Sequence, residues 1–252
     1  MKRIKGRDKN GRCVLINIPS WDTPSTFVAG SLQFGAPNQF LTISPSSNFA
    51  FSTGSFTVEW FQKQTYQTTF SRVFTIKAWP KAELGVSIES GVPSTKFYLW
   101  MDALGNIPAV ANAATITAPY LNQWDHYAVV RQSGSYIQIF RNGAAIKTIT
   151  AANYVNANIN NTTSSLIIGG EGDNVVNTRF SGSITNFRML KGVALYSSSY
   201  AVPIEPLPVI PGSVLLLLAP DEQYKYYDEC RNNSVNGNSV SESVSLSPFF
   251  NL

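Results

Sequence analysis

The chain has 252 residues, of which 44% are hydrophobic and 12% aromatic, enough to bury a sizeable core and to exclude a disordered chain. Only 13% are charged, against ~25% in ordinary soluble domains. Such a polar, uncharged surface suits a β-rich extracellular or virion protein, or one that packs against other subunits. The formal net charge of +4 is local: Lys2, Arg3, Lys5, Arg7, Lys9 and Arg12 face only Asp8 within residues 1–12, and the remainder is near neutral.

Residues 1–27 read as a basic arm and a lead-in strand at Cys13–Ile18. Gly6 and Gly11 are expected to keep the arm flexible. Its charge suits an acidic protein surface, anionic lipid or nucleic acid, with a solvated tail as the other reading. Met1-Lys2-Arg3-Ile4-Lys5 begins like a charged leader, but no apolar segment follows. The longest aliphatic run, Val214 to Ala219, is six residues, far short of the ~20 that span a bilayer. The protein is therefore expected to be soluble and made in a cytoplasm, and the glycosylation patterns at Asn160, Asn161 and Asn232 are read as chance matches. Cys13 and Cys230 make neither a disulfide framework nor a metal site. Two reduced thiols are expected, with a disulfide between paired terminal strands as the alternative.

Short strands separated by turn residues follow, the pattern of a sandwich or barrel. They are expected at Ser31–Phe34, Phe40–Ile43, Phe56–Gln62, Arg72–Lys77, Leu84–Glu89 and Lys96–Asp102. Others are expected at His126–Gln132, Tyr136–Phe140, Ala145–Ile149, Leu166–Ile168, Gly182–Leu190, Ser213–Leu218 and Ser239–Leu246. No stretch has helical apolar spacing. Asn142-Gly143 supplies the positive φ angles of a two-residue type I′ turn. That turn predicts a hairpin pairing Ile139 with Ile146 and Ile137 with Thr148 on one face, and Phe140 with Ala145 and Gln138 with Lys147 on the other. Residues 201–211 carry four prolines in nine positions, which forbids helix and discourages central strand. They read as an extended strap that connects to the next strand.

Several segments together resemble the laminin G-like, concanavalin A-like jelly-roll family. They are Ser31-Leu32-Gln33-Phe34 with Phe40-Leu41-Thr42-Ile43, Gly54-Ser55-Phe56-Thr57-Val58-Glu59-Trp60-Phe61, and Trp124-Asp125-His126-Tyr127-Ala128-Val129-Val130-Arg131. Phe140-Arg141-Asn142-Gly143, Leu166-Ile167-Ile168-Gly169-Gly170 and Phe180 to Arg188 complete the set. The resemblance implies an all-β fold, an antiparallel two-sheet jelly-roll sandwich over residues 28–252 with a short basic N-terminal arm. Trp60, Val58, Val129, Ile139, Ile168 and Phe187 are expected in its core, and Trp124 is expected to be buried. Downstream, Arg188 to Tyr196, the proline strap, Leu215-Leu216-Leu217 and the tail Ser247-Pro248-Phe249 are similar to variants in structural proteins of bacteriophages and large DNA viruses. That likeness implies a minor capsid, decoration or tail-fibre component in a virion. Its partners would be other virion proteins, copies of itself or host glycan, and nucleic acid would be touched only through the arm. A lectin-like module not tied to a virion is the alternative.

Enzymes of this fold that cleave glycosides carry carboxylates at alternate positions of one strand, flanking the scissile bond. No strand here shows that pattern. Glu83 and Glu89 are far apart, and Asp221-Glu222 and Asp228-Glu229 are adjacent pairs that point to opposite faces if extended. The lone histidine, His126, excludes a multi-histidine metal site and reads as a packed, hydrogen-bonded residue rather than a catalytic base. No catalytic residue is assigned. Calcium, which the resemblance brings in, needs six to eight oxygen ligands. Its candidates are Glu171, Asp173 and Asn174, with Asp102 or Asp125 as partners, against a flexible Gly-rich turn. Trp79, Tyr98 and Trp100 are candidates for stacking on sugar rings, against ordinary core packing.

Overall fold

The computed structural model describes residues 2–7, 13–18, 30–35, 39–66, 70–77, 83–89, 96–101, 113–115, 121–170, 178–219, 226–230, 232–238, 240–243 and 248–249. Two antiparallel sheets pack face to face, as a jelly-roll sandwich of the concanavalin A-like kind. One has the order β12 (Ala144–Ile149), β11 (Tyr136–Arg141), β10 (Trp124–Gln132), β5 (Phe56–Tyr66), β14 (Ser181–Lys191), β3 (Ser31–Phe34) and β17 (Ser241–Ser243), with β15 (Ser213–Leu217) also pairing β14. The other runs β16 (Val235–Asn238), β4 (Phe40–Ile43), β13 (Leu166–Ile168), β6 (Ser71–Ile76), β7 (Leu84–Glu89), β8 (Lys96–Trp100) and β9 (Ala113–Thr115). Among the described residues helix is limited to α1 (Ala152–Val155), a 3-10 turn at Ser47–Phe49 and the single helical residue Thr178. The C-terminal pair joins the two sheets at one edge: β16 pairs β4 and β17 pairs β3.

The core follows from alternation. Phe56, Val58 and Trp60 on β5 face inward, as do Tyr127 and Val129 on β10. Trp60 sits at the centre, stacked on Tyr127 at 5.7 Å and Phe97 at 6.4 Å, with the Phe74 ring edge-on at 5.8 Å. One indole thus bridges β5 and β10 of the first sheet to β6 and β8 of the second. All six residues expected in the core are buried. Trp124 is not; it is half-buried. It opens β10 on the outward face that it shares with His126, Ala128 and Val130, so the expected full burial is corrected.

Arg131, the last residue of the Trp124–Arg131 motif, is fully buried and donates to the carbonyls of Gly54 at 2.8 Å, Ala157 at 2.7 Å and Ser52 at 2.6 Å. Burial lowers its pKa to about 10. It ties two turns to the sheet.

The Asn142-Gly143 hairpin forms, with φ of 48° and 76°, and pairs Phe140 with Ala145 as expected. Beyond that pair the register slips by one: a bulge sets Ile139 opposite Lys147, Gln138 opposite Thr148 and Ile137 opposite Ile149. The extra residue, Ile146, packs against the core. The expected Ile139–Ile146, Ile137–Thr148 and Gln138–Lys147 pairs are therefore corrected. The bulge lets both Ile146 and Ile149 reach apolar surroundings, which strict alternation forbids.

Residues 201–211 do more than connect. Thr57, Glu59 and Phe61 point away from the core on β5, yet Thr57 and Glu59 are fully buried and Phe61 nearly so: the chain after β14 returns across Thr57 and Glu59, and His126 and Phe249 pack on the Phe61 ring. Thr57 Oγ1 donates to the Val193 carbonyl at 2.9 Å and accepts from Leu195 N–H at 3.0 Å. Asn186 Oδ1 accepts from Leu207 N–H at 2.7 Å. The strap is a third layer on the first sheet.

At the N-terminus Lys2–Arg7 forms β1 and pairs with β2 (Cys13–Ile18) as a separate two-stranded sheet, with Gly6 opposite Val14. The expectation of a flexible arm is corrected over these residues. The alternation of Lys2, Ile4 and Gly6 with Arg3, Lys5 and Arg7 is a strand pattern. Lys9 and Arg12 lie outside the described residues. Cys230 is a free thiol packed beside Leu207, Leu216 and Leu218.

Candidate functional site

On the second sheet, Phe97 and Leu99 of β8 are buried in the core, so Tyr98 and Trp100 stand on its outer face. A bulge in β6 sends both Val73 and Phe74 inward and leaves Arg72 outward. Cross-strand pairing then aligns Arg72, Ser87 and Tyr98 in one row and Thr75, Gly85 and Trp100 in the next. The two aromatic rings lie 5.9 Å apart with 31° between their planes. Trp100 Nε1–H donates to Ser87 Oγ at 2.8 Å, and the Arg72 guanidinium carbon is 4.5 Å from the indole centroid. Arg72 is 6% exposed and Ser87 fully buried, whereas Tyr98 and Trp100 are half-exposed. Buried Ser87 and Arg72 thus hold Trp100, which with Tyr98 makes a half-exposed aromatic strip. Flat aromatic faces with a fixed orientation are suited to the apolar C–H faces of a sugar ring.

A second cluster lies beneath the strap. Glu59 Oε1 accepts from Arg188 Nε–H at 2.9 Å and Nη2–H at 2.6 Å, and Oε2 accepts from the Tyr196 hydroxyl at 2.9 Å. His126 Nε2 is 3.3 Å from Glu59 Oε2, within reach of an ion pair but off-line for a hydrogen bond. Its Nδ1 pairs with the Tyr200 hydroxyl at 3.0 Å. Burial alone would raise the Glu59 carboxyl, but His126 and Arg188 outweigh it and hold the pKa below its ordinary value. Burial, with Glu59 adding to it, pushes the hydroxyls of both Tyr196 and Tyr200 far up. Arg188 Nη1–H donates to the Pro208 carbonyl at 2.6 Å. The cluster is a clamp between sheet and strap, with Glu59 and His126 sealed from solvent. His126 is the packed residue expected of it. The open groove of about 530 Å³ beside it is lined by Leu195, Tyr196, strap prolines and Ile204.

The other buried carboxylates are also committed to structure. Glu83 accepts the N–H groups of Asn160 and Asn161. Asp228 accepts from the N–H groups of Leu216, Cys230, Asn232 and Asn233. Asp125 is held by Arg141 Nη2 at 2.8 Å and Asn142 Nδ2 at 2.7 Å. Glu171, Asp173, Asn174, Asp102 and Trp79 lie outside the described residues. Among the described residues no group of three or more His, Cys, Asp or Glu is arranged to hold a metal.

Sequence reasoning placed Tyr98 and Trp100 but missed Arg72 and Ser87, which support them. Their polar character in a strand was visible, but the β6 bulge that turns Arg72 outward was not. It also missed Glu59 as a partner of Arg188, although both lie in segments that carry the resemblance.

Two antiparallel sheets in this order define a β-sandwich of the concanavalin A-like kind. Residues 34–195, well over half of the chain, match the concanavalin A-like lectin/glucanases superfamily, and the chain belongs to it. Among solved structures, a candidate carbohydrate-binding protein from Bacteroides ovatus ATCC 8483 is similar over 85% of this chain, with a TM-score of 0.60 and 16% identity. This chain spans 59% of the length of that protein. The native heptameric SAP-like pentraxin from Limulus polyphemus is similar over 90% of this chain and 99% of its own, with a TM-score of 0.59 and 13% identity. Identities at this level establish a shared fold. No curated protein matches the chain.

Proposed function

We propose that the protein is a non-catalytic, lectin-like module that binds glycan on the outer face of its second sheet. The observation that carries this reading is the half-exposed Tyr98–Trp100 strip, in which Ser87 and Arg72 hold the Trp100 indole. Membership of a lectin and glucanase superfamily and the likeness to the Bacteroides ovatus protein support it. The commitment of the four buried carboxylates among the described residues to structural partners argues against their acting as an acid and nucleophile pair. The virion assignment rests on the resemblance of residues 188–249, the low charge of the body and the basic arm, whereas the superfamily match and the Bacteroides ovatus protein favour glycan binding. A virion part that holds host glycan would satisfy both.

A glycan array probed with the labelled protein tests the proposal. Binding of one or more glycans is expected, abolished or severely weakened in Trp100→Ala, with no release of reducing sugar from any bound polysaccharide. An array without signal would overturn the binding reading, and reducing-sugar release by the pure protein would overturn the non-catalytic one.

A further inference from the structure

The strip has a direction as well as a chemistry. Tyr98 and Trp100 are two residues apart on one strand, so their anchor points are separated along β8 by about 7 Å, and their ring centroids by 5.9 Å. One pyranose is about the size of one aromatic ring and covers one of these faces, not both. Two linked sugars, each lying flat on one ring, fill the strip. The 31° between the ring planes accommodates the twist between successive units of a linear chain.

Among the described residues, the polar groups of Ser87 and Arg72 are turned to holding the Trp100 ring. Ser87 Oγ takes the indole N–H, and Ser87 is fully buried. The Arg72 guanidinium lies against the indole, and Arg72 is 6% exposed. Stacking therefore dominates recognition, and a stacking surface reads ring flatness and chain length more than the identity of each sugar. Because Ser87 and Arg72 restrain Trp100 before a ligand arrives, little side-chain freedom is lost on binding.

We propose that the ligand is an uncharged, linear glycan of at least two rings lying along β8, with Trp100 and Tyr98 as successive subsites and Ser87 and Arg72 as positioning residues. This rests on the glycan-binding reading above and adds length, direction and charge to it. The ligand class is a chain whose units present flat C–H faces on one side, as equatorially linked glucose, xylose or mannose units do.

Calorimetric titration with ladders of one to six β-1,4-linked glucose, xylose or mannose units tests it. At least one ladder is expected to bind, with affinity rising tenfold or more between one and three units and little dependence on salt. Tyr98→Ala and Trp100→Ala should each weaken the trimer about tenfold or more, as loss of one stacking face does. Trp100→Phe, which keeps a flat ring, should retain most of the affinity, and matching melting temperatures establish that the variants fold. Ser87→Ala should weaken the trimer less than Trp100→Ala, through a larger entropy cost and not a lost contact. Equal affinity for one unit and six would mean recognition of a chain end and overturns the proposal while the glycan-binding reading stands. So would binding of an array glycan with no ladder bound, or unchanged ladder binding by folded Tyr98→Ala and Trp100→Ala. If neither array nor ladders bind, both fall together.

Discussion

The Gly143 carbonyl accepts the Tyr200 N–H at 3.0 Å, so the tip of the β11–β12 hairpin holds the start of the proline strap. The approach is close enough that a Cβ on Gly143 would overlap the Tyr200 carbonyl oxygen. Gly143 is thus required twice, by its φ of 76° in the turn and by the backbone that lies on it.

Gly143→Ala is expected to destabilise the fold by on the order of 2–4 kcal/mol, from the left-handed conformation and the overlap together. In a chain of this size each kcal/mol lowers the melting temperature by roughly 2–4 °C. Hydrogen exchange at Tyr200 N–H should accelerate by more than exchange at core amides such as Val129. An unchanged melting temperature would show that the strap is not seated on the turn.

The Glu59–Arg188 pair is sealed beneath the strap, where a lone charge is costly. Glu59→Met and Arg188→Met should each lose about 3–5 kcal/mol by stranding the other charge, and the double variant should recover much of that. Chemical denaturation of the two single variants and the double variant measures the coupling. Additive losses would mean that the pair is not coupled.

Acid should reveal the same pair. The Glu59 pKa is lower in the folded chain than its ordinary 4.5, so the unfolded chain takes up the proton first. This contribution is present above about pH 4.5 and is lost as the pH falls through the folded-state value. Melting temperature should therefore drop on acidification below that point, and the drop should be shallower in Glu59→Gln. Parallel acid profiles for the two proteins would refute the assignment.

Two tryptophans should behave differently. Trp60 is fully buried and touches rings from both sheets, so Trp60→Ala should cost about 3–5 kcal/mol. Trp124, half-exposed on the outer face, should cost about 1 kcal/mol. Equal losses on denaturation would contradict the placement of Trp124.

Burial and then the nearby Asp228 carboxylate push the Cys230 thiol up to about 12. In a Cys13→Ser background, iodoacetamide at pH 8 should label Cys230 on the order of a hundredfold more slowly in the native protein than in denaturant. Equal rates would place Cys230 in a looser setting.

Strand positions were the most legible feature of this chain. Leu84–Glu89 and Leu166–Ile168 form over the residues their apolar runs predict, because short runs between turn residues have few competing structures. The Asn142-Gly143 turn was equally plain. The bulge one residue further on was not, since alternation alone counts Ile146 and Thr148 onto one face. At the candidate site, Tyr98 and Trp100 were legible only as aromatic residues in a predicted strand, named together with Trp79. What steadies them comes from β6 and β7, and pairing across strands is not written in either segment alone.

The sequence by itself determined the class of fold and its core, because alternation of apolar residues and the placement of turns are local properties that each strand carries independently. It also determined that residues 201–211 would be extended, since proline permits little else. Tertiary structure alone decided that this strap covers the first sheet, that Glu59 meets Arg188 across 129 positions of chain, and that Arg72 and Ser87 lie beside Trp100. The difference is physical: a residue's own backbone preferences choose its secondary structure, whereas burial of a charge or a ring depends on which distant segment arrives to cover it, and only packing of the whole chain settles that.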